Sequence, residues 1–197
     1  MAGLVLAGDS IADEVNMPAT ISITDSDVYA TLRTFLLGIL PAGVEVVKAQ
    51  DNDVGEPTGP DFVTMNTITL PRLATNVDTF TDPGTGQGTR NSLASMAIHV
   101  QLDVHGPGSA NNAAMISTLF RDEYACTVFA SVNPEIQPLY CEEPKQIPFI
   151  NGENQFEQRW IIDAAIQYNP ITQTPQDFAS TVEVEIISVD AAYPPGA

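Results

Sequence analysis

The sequence predicts an α+β domain: a mostly antiparallel sheet, two helices packed on one face, and a long protruding hairpin. Three observations predict it. Val28, Leu32, Phe35, Leu36, Ile39 and Leu40 recur at helical spacing, and Met115 with Leu119 and Ile116 with Phe120 mark a second helix. Ser92 to His105 alternates strictly, with Met96, Ile98, Val100, Leu102 and Val104 on one face and Ala97, His99, Gln101, Asp103 and His105 on the other. Leu139 to Pro170 joins a proline-punctuated segment to a second alternating strand, and helices lying on antiparallel strands make the α+β class.

Size and charge bound the rest. At 197 residues and 44% hydrophobic, the chain supports one well-buried core and is short for two. The expected division is an N-terminal arm over 1–24, one domain over 25–190 and a C-terminal tail over 191–197. No apolar run reaches the ~18 residues of a membrane span. MAGLVLAGDS lacks the basic region of a secretory signal. Cys126 and Cys141 are too few for a disulfide scaffold and read as reduced packing thiols in a cytosolic setting.

Seven Lys+Arg face 25 Asp+Glu, a formal charge of −18. The cations (Arg33, Lys48, Arg72, Arg90, Arg121, Lys145, Arg159) are scattered, whereas gripping DNA through its phosphates needs them clustered. An acidic surface is ordinary for a folded protein. It is also what a surface needs if a duplex must pass it without sticking, because like charges repel over a Debye length of about 8 Å.

In chain order, Met17-Pro18 breaks any early helix and Ile21-Ser22-Ile23 alternates briefly, as an arm docked on a neighbour or a loose tail would. Thr24 or Asp25 caps the first helix, Asp25 and Asp27 suit the positive end of its dipole, and Pro41 stops it. Val44 to Gln50 is a strand. The loop Asp51–Pro60 carries Asp51, Asp53 and Glu56, but a calcium hand needs flanking helices and a glutamate at loop position 12, and neither is evident.

Phe62 to Leu73 is the next strand, with Pro71 marking an edge or bulge. Thr79 to Asn91 is rich in turn formers. Its GTGQGT lacks the Gly-Lys-Ser/Thr and following helix of a phosphate cradle, so it reads as a hairpin tip. The strand Ser92–His105 would span over roughly 40 Å, far beyond the usual five or six residues, so the hairpin should overhang its domain and meet another chain. Its candidate contact residues are Thr81, Asp82, Thr85, Gln87, Arg90 and Asn91. His99, Asp103 and His105 share a face, but positions six apart on a strand lie roughly 20 Å apart and cannot share one ion.

Gly106-Pro107-Gly108 turns the chain, Ser109 caps a helix to about Tyr124, and Cys126 to Val132 reads as a short strand. Pro138, Pro144 and Pro148 leave an irregular surface strap. After the Asn151-Gly152 turn, Phe156, Gln158, Trp160, Ile162, Ala164, Ile166 and Tyr168 fall on one strand face. Phe156, Trp160, Ile162 and Tyr168 are the expected core anchors. Asn169-Pro170 closes the run, and Thr181–Asp190 is the last strand, its phase blurring at Ile186-Ile187 as at a bulge.

PLYCEEPKQIPFINGENQFEQRWIIDAAIQYNP, followed by PQDF and a final strand ending VDAAYPP, resembles the phage neck (tail) terminator proteins. The likeness extends to VYATLRTFLLGILP, VVKAQDN and QLDVHGPGSANNA, covering about residues 25–195. It implies a tail-terminator-like structural protein of the virion, assembled in the host cytoplasm. Such a protein forms a ring, typically of six subunits, that caps the tail tube. Implied partners are sister copies, the tail tube protein, the head–tail connector or stopper, and the sheath if the tail contracts, as the likeness suggests. DNA would pass without specific binding, and no membrane is involved.

No GxSxG, HExxH or Cys-His arrangement is present, and with 25 acids a pair such as Glu142-Glu143 carries no catalytic information. The sequence therefore predicts no enzyme, cofactor or metal. Two other readings stay open: a connector or stopper of the same neck, and a monomeric module for a small ligand.

Overall fold

The computed structural model describes residues 18–50, 57–150, 152 and 154–179. The acidic loop residues Asp51, Asp53 and Glu56, the expected last strand Thr181–Asp190, the tail 191–197, and most of the N-terminal arm lie outside them.

The first helix, α1 (Asp25–Ile39), starts where the sequence places it. Thr24 closes a capping box with Asp27, whose carboxyl sits below the ordinary aspartate value because Thr24's hydroxyl and backbone N–H donate to it. Val28, Leu32, Phe35 and Leu36 form its buried stripe.

The body is a six-stranded sheet of order β2-β3-β6-β11-β7, in which β8 also pairs with β11. Its strands are β2 (Glu45–Lys48), β3 (Phe62–Thr69), β6 (Met96–His105), β7 (Ile136–Cys141), β8 (Lys145–Gln146) and β11 (Arg159–Tyr168). Only the β2–β3 pairing is parallel among the described ladders, consistent with a mostly antiparallel α+β fold.

Val63, Met65, Val100, Leu102, Val104, Ile162, Ala164 and Ile166 are each at most 1% exposed. They belong to one buried cluster with α1, α2 (Ser109–Phe120) and α3 (Glu123–Val132). Phe35, Phe120 and Phe129 make an aromatic triad there, with ring centroids 5.7–5.9 Å apart.

The described residues thus hold three helices rather than two, because the expected strand Cys126–Val132 is part of α3. Its β-branched residues look like a strand. However, Asp122 caps Tyr124's N–H, and Ala125 and Phe129, four apart, are the buried positions. α2 accordingly stops at Phe120 rather than near Tyr124.

The strap is also more regular than expected. β7 and β8 both pair along one edge of β11, and Pro138 falls where the β7–β11 register shifts, which is where an edge strand tolerates proline.

Of the expected core anchors, Ile162 is fully buried, Tyr168 is 8% exposed, and Trp160 packs against the core half-buried. Phe156 is not a core residue: it is 82% exposed. The alternating strand breaks at Gln158, and Phe156 belongs to a separate ribbon of β9 (Phe149–Ile150) and β10 (Phe156–Glu157).

A second sheet, order β1-β12-β5-β4, contains β1 (Thr20–Ile21), β4 (Val77–Thr81), β5 (Gly88–Leu93) and β12 (Ile171–Gln176). The expected hairpin tip Thr79–Asn91 is therefore shorter, since Thr79–Thr81 and Gly88–Asn91 are themselves strands. Asn169-Pro170 does not end the sheet structure, because β12 follows it directly.

The two sheets share a register. β6 pairs with β11 from His105↔Arg159 to Met96↔Tyr168, and β5 continues with β12 from Leu93↔Ile171 to Gly88↔Gln176 without slipping a residue. The strand pair is one ribbon, interrupted at 94–95 and 169–170, where Ala94 N–H still donates to the Pro170 carbonyl at 3.0 Å.

Candidate functional site

Of the hairpin residues named from the sequence, Thr81, Arg90 and Asn91 lie in strands of the second sheet, and Asp82, Thr85 and Gln87 lie in the loop that joins β4 to β5. Thr81 ends β4, opposite Thr89. Asp82 accepts from Gly84 N–H at 2.8 Å, an Asx turn that starts the tip, and Gly84 and Gly86 both take positive φ. Thr85 is exposed between them. Gln87 donates to Asp177 at 3.1 Å.

Arg90 and Asn91 lie on opposite faces of β5. Asn91 belongs to an exposed polar ladder: it donates to Thr81 at 3.2 Å and accepts from Gln173 at 2.8 Å, and Gln173 meets Thr20 at 3.5 Å. On the other face Asp78 accepts from Ser92 and from Arg90, each at 2.6 Å, and these bonds hold its carboxyl below the ordinary aspartate value. The structure joins Thr81 and Asn91 directly in the ladder and places Arg90 on the opposite face, bonded to Asp78.

All five residues of β4 are exposed, including Val77 at 58% and Phe80 at 56%. As the outer strand of its sheet, β4 has no neighbour on its far side among the described residues. A strand edge of this kind offers unpaired backbone groups to another chain.

The helix-free face of the main sheet is the second surface. His105 stacks on Phe62 (centroids 4.5 Å, planes within 6°), and its Nδ1 lies 3.0 Å from the Glu157 carboxylate. Arg159 pairs with Asp103 at 3.0 Å. His99, Gln101 and Asp163 complete a half-buried polar surface, as an antiparallel sheet with one open face requires.

The cations share one feature that spacing could not reveal: each is already engaged within the chain. Lys48 pairs with Asp25, Arg90 with Asp78, Arg121 with Glu143, Lys145 with Glu142 and Arg159 with Asp103. Arg33 donates to the Val46 carbonyl and Arg72 to Asn76. Exposed pairs of this kind add little stability. Their effect is on the field: the surface keeps its excess of acid and presents no group of cations to a phosphate backbone.

A depression of about 460 Å³ lies between the 41–44 turn and α2, and its one carboxylate, Asp61, accepts from Gly108 N–H at 2.7 Å. No group of three or more metal-ligating side chains occurs among the described residues, and none of their helices is long and apolar enough to cross a membrane.

No curated protein matches the chain significantly. A family model described as "Phage neck terminator protein" matches residues 26–191, which takes in the main sheet, all three helices and the hairpin sheet from β4 onward. The chain belongs to the phage neck terminator family, which makes it a structural protein of the virion neck.

Proposed function

We propose that this chain is a ring-forming tail terminator. Sister copies, six by the likeness described above, close the upper end of the tail tube beneath the head connector or stopper and leave a channel for DNA. The observation that carries this reading is the family match over 26–191. Two features support it: the outer strand β4, unpaired on its far side among the described residues, and an acidic chain whose cations are all engaged. The role is one of contact and shape, without catalysis.

In this reading residues 1–24 are an arm and 25–190 the ring-forming domain. The hairpin residues Thr81, Asp82, Thr85, Gln87, Arg90 and Asn91 reach a neighbouring subunit or an adjacent ring. The tail tube, the connector or stopper, and the sheath of a contractile tail are the partners.

Electron microscopy of the purified protein mixed with tail tubes tests it. Wild type should form rings seated on tube ends. A variant lacking Asp82–Gln87 should keep its circular dichroism and yield at least about tenfold fewer capped tubes, since loss of a central contact weakens binding by that much or more. Normal capping by the variant would remove the hairpin from the interface. Rings seated on isolated connectors rather than tubes would make the protein a connector or stopper component.

A further inference from the structure

A sheet edge is where one chain can add a strand to another, and folded proteins blunt the edges they do not use. Among the described edge strands longer than two residues, only β4 is left open. On β2, Arg33 Nε donates to the Val46 carbonyl at 3.0 Å. On β7, Arg121 Nε donates to the Cys141 carbonyl at 2.8 Å, and Pro138 has no N–H to offer. β1, β8, β9 and β10 are two residues each, too short to template a partner. β4 carries no proline, lysine or arginine, and Val77 and Phe80 stand exposed along it.

The chain leaves the second sheet beside this open edge. Gln176 pairs with Gly88, and Gln87 bonds Asp177. A Cβ at Gly88 would lie 2.4 Å from the Phe178 ring and 2.4 Å from the Thr81 carbonyl. Glycine there makes room for the ring against the last residue of β4. The stretch that follows, Thr181–Asp190, lies outside the described residues. Its sequence, TVEVEIISVD, has no glycine or proline and is rich in β-branched residues, and extended it would span about 33 Å.

Each copy thus holds one open edge and, at a different place, one sequence suited to a strand. A head-to-tail contact needs that combination, since a donor on one copy meets an acceptor on the next and the series closes into a ring. A segment folded back on its own β4 would use up both and leave no strand for a neighbour. We propose that Thr181–Asp190 of one copy adds to β4 of the next, a strand exchange that links the subunits. This inference rests on the ring reading and names a contact within it.

Two variants test it, each compared with wild type by sedimentation velocity and by tube capping in electron micrographs. Val77→Asp/Phe80→Asp spoils the acceptor by placing acids opposite a segment that carries Glu183 and Glu185. Val184→Pro/Ile186→Pro spoils the donor. Wild type should self-associate and cap tubes. Each variant alone should be a monomer that caps about tenfold fewer tubes or less, with an unchanged unfolding midpoint. The two variants mixed should form a heterodimer, because the intact donor of one fits the intact acceptor of the other. Variants that cap tubes like wild type overturn the exchange and leave the ring reading standing. Loss of capping with only monomers in the mixture overturns it too, and folds the segment back on its own copy. Wild type that neither self-associates nor caps tubes overturns the ring reading and this inference together.

Discussion

The main sheet and the hairpin sheet run on from one another in a single register, yet their chemistry is opposite. Along β6 and β11 alternate residues sink into a cluster with three helices and are at most 1% exposed from Val100 to Val104 and from Ile162 to Ile166. Along β4, β5 and β12 no helix among the described residues covers either face, and side chains are tied to each other by exposed polar ladders and one Arg90–Asp78 pair. The first region is stable by burial. The second holds its shape by backbone pairing and has one edge unpaired among the described residues.

The sharpest way to break that comparison is to shorten one aromatic residue in each region. Phe129→Ala opens the triad with Phe35 and Phe120 and should cost about 3–5 kcal/mol in urea unfolding. Phe80→Ala, on β4, should stay within about 0.5 kcal/mol of wild type. Comparable losses would mean that the hairpin sheet is part of the core.

A smaller effect comes from the junction of the regions. Thr24→Ala removes the hydroxyl of the α1 capping box and should cost about 1 kcal/mol. Amide exchange in β12 should not change, because β1 and Ser22 hold that strand independently through the Ser22–Ile171 bonds.

The smallest effect is a pH response. Because Asp78 titrates below its ordinary value in the fold, its contribution is complete above about pH 3.9 and is lost as the pH falls through the lower folded value. Amide protection across β4–β5 should therefore fall in acid before the global transition, and Asp78→Asn should abolish the difference.

Much of the body was legible. The stripe of α1, the alternation of β6 and the core positions Ile162 and Tyr168 are periodic signals long enough to outweigh local propensity. The α3 segment was not, because EYACTVFASV is rich in residues that favour strands, while the Asp122 cap and packing against Phe35 and Phe120 favour the helix. Phe156 was misplaced because alternation continues on paper through Gln158 while the pairing partner changes there. β12 was missed because ITQTPQ is short and polar and contains a proline. Of the candidate site, the hairpin residues could be named from turn chemistry, but the engagement of every cation could not, since Lys48–Asp25 and Arg159–Asp103 join residues far apart in sequence.

The interruptions at Ala94-Ser95 and Asn169-Pro170 are where the hairpin sheet passes into the body. Only two residues separate β5 from β6 and β11 from β12, while the segments 70–76 and 22–24 tie the same sheet to β3 and to α1, so four stretches of chain fix it to the body. The Ala94–Pro170 bond bridges both interruptions, so the ribbon keeps its backbone pairing across the step from polar to buried side chains.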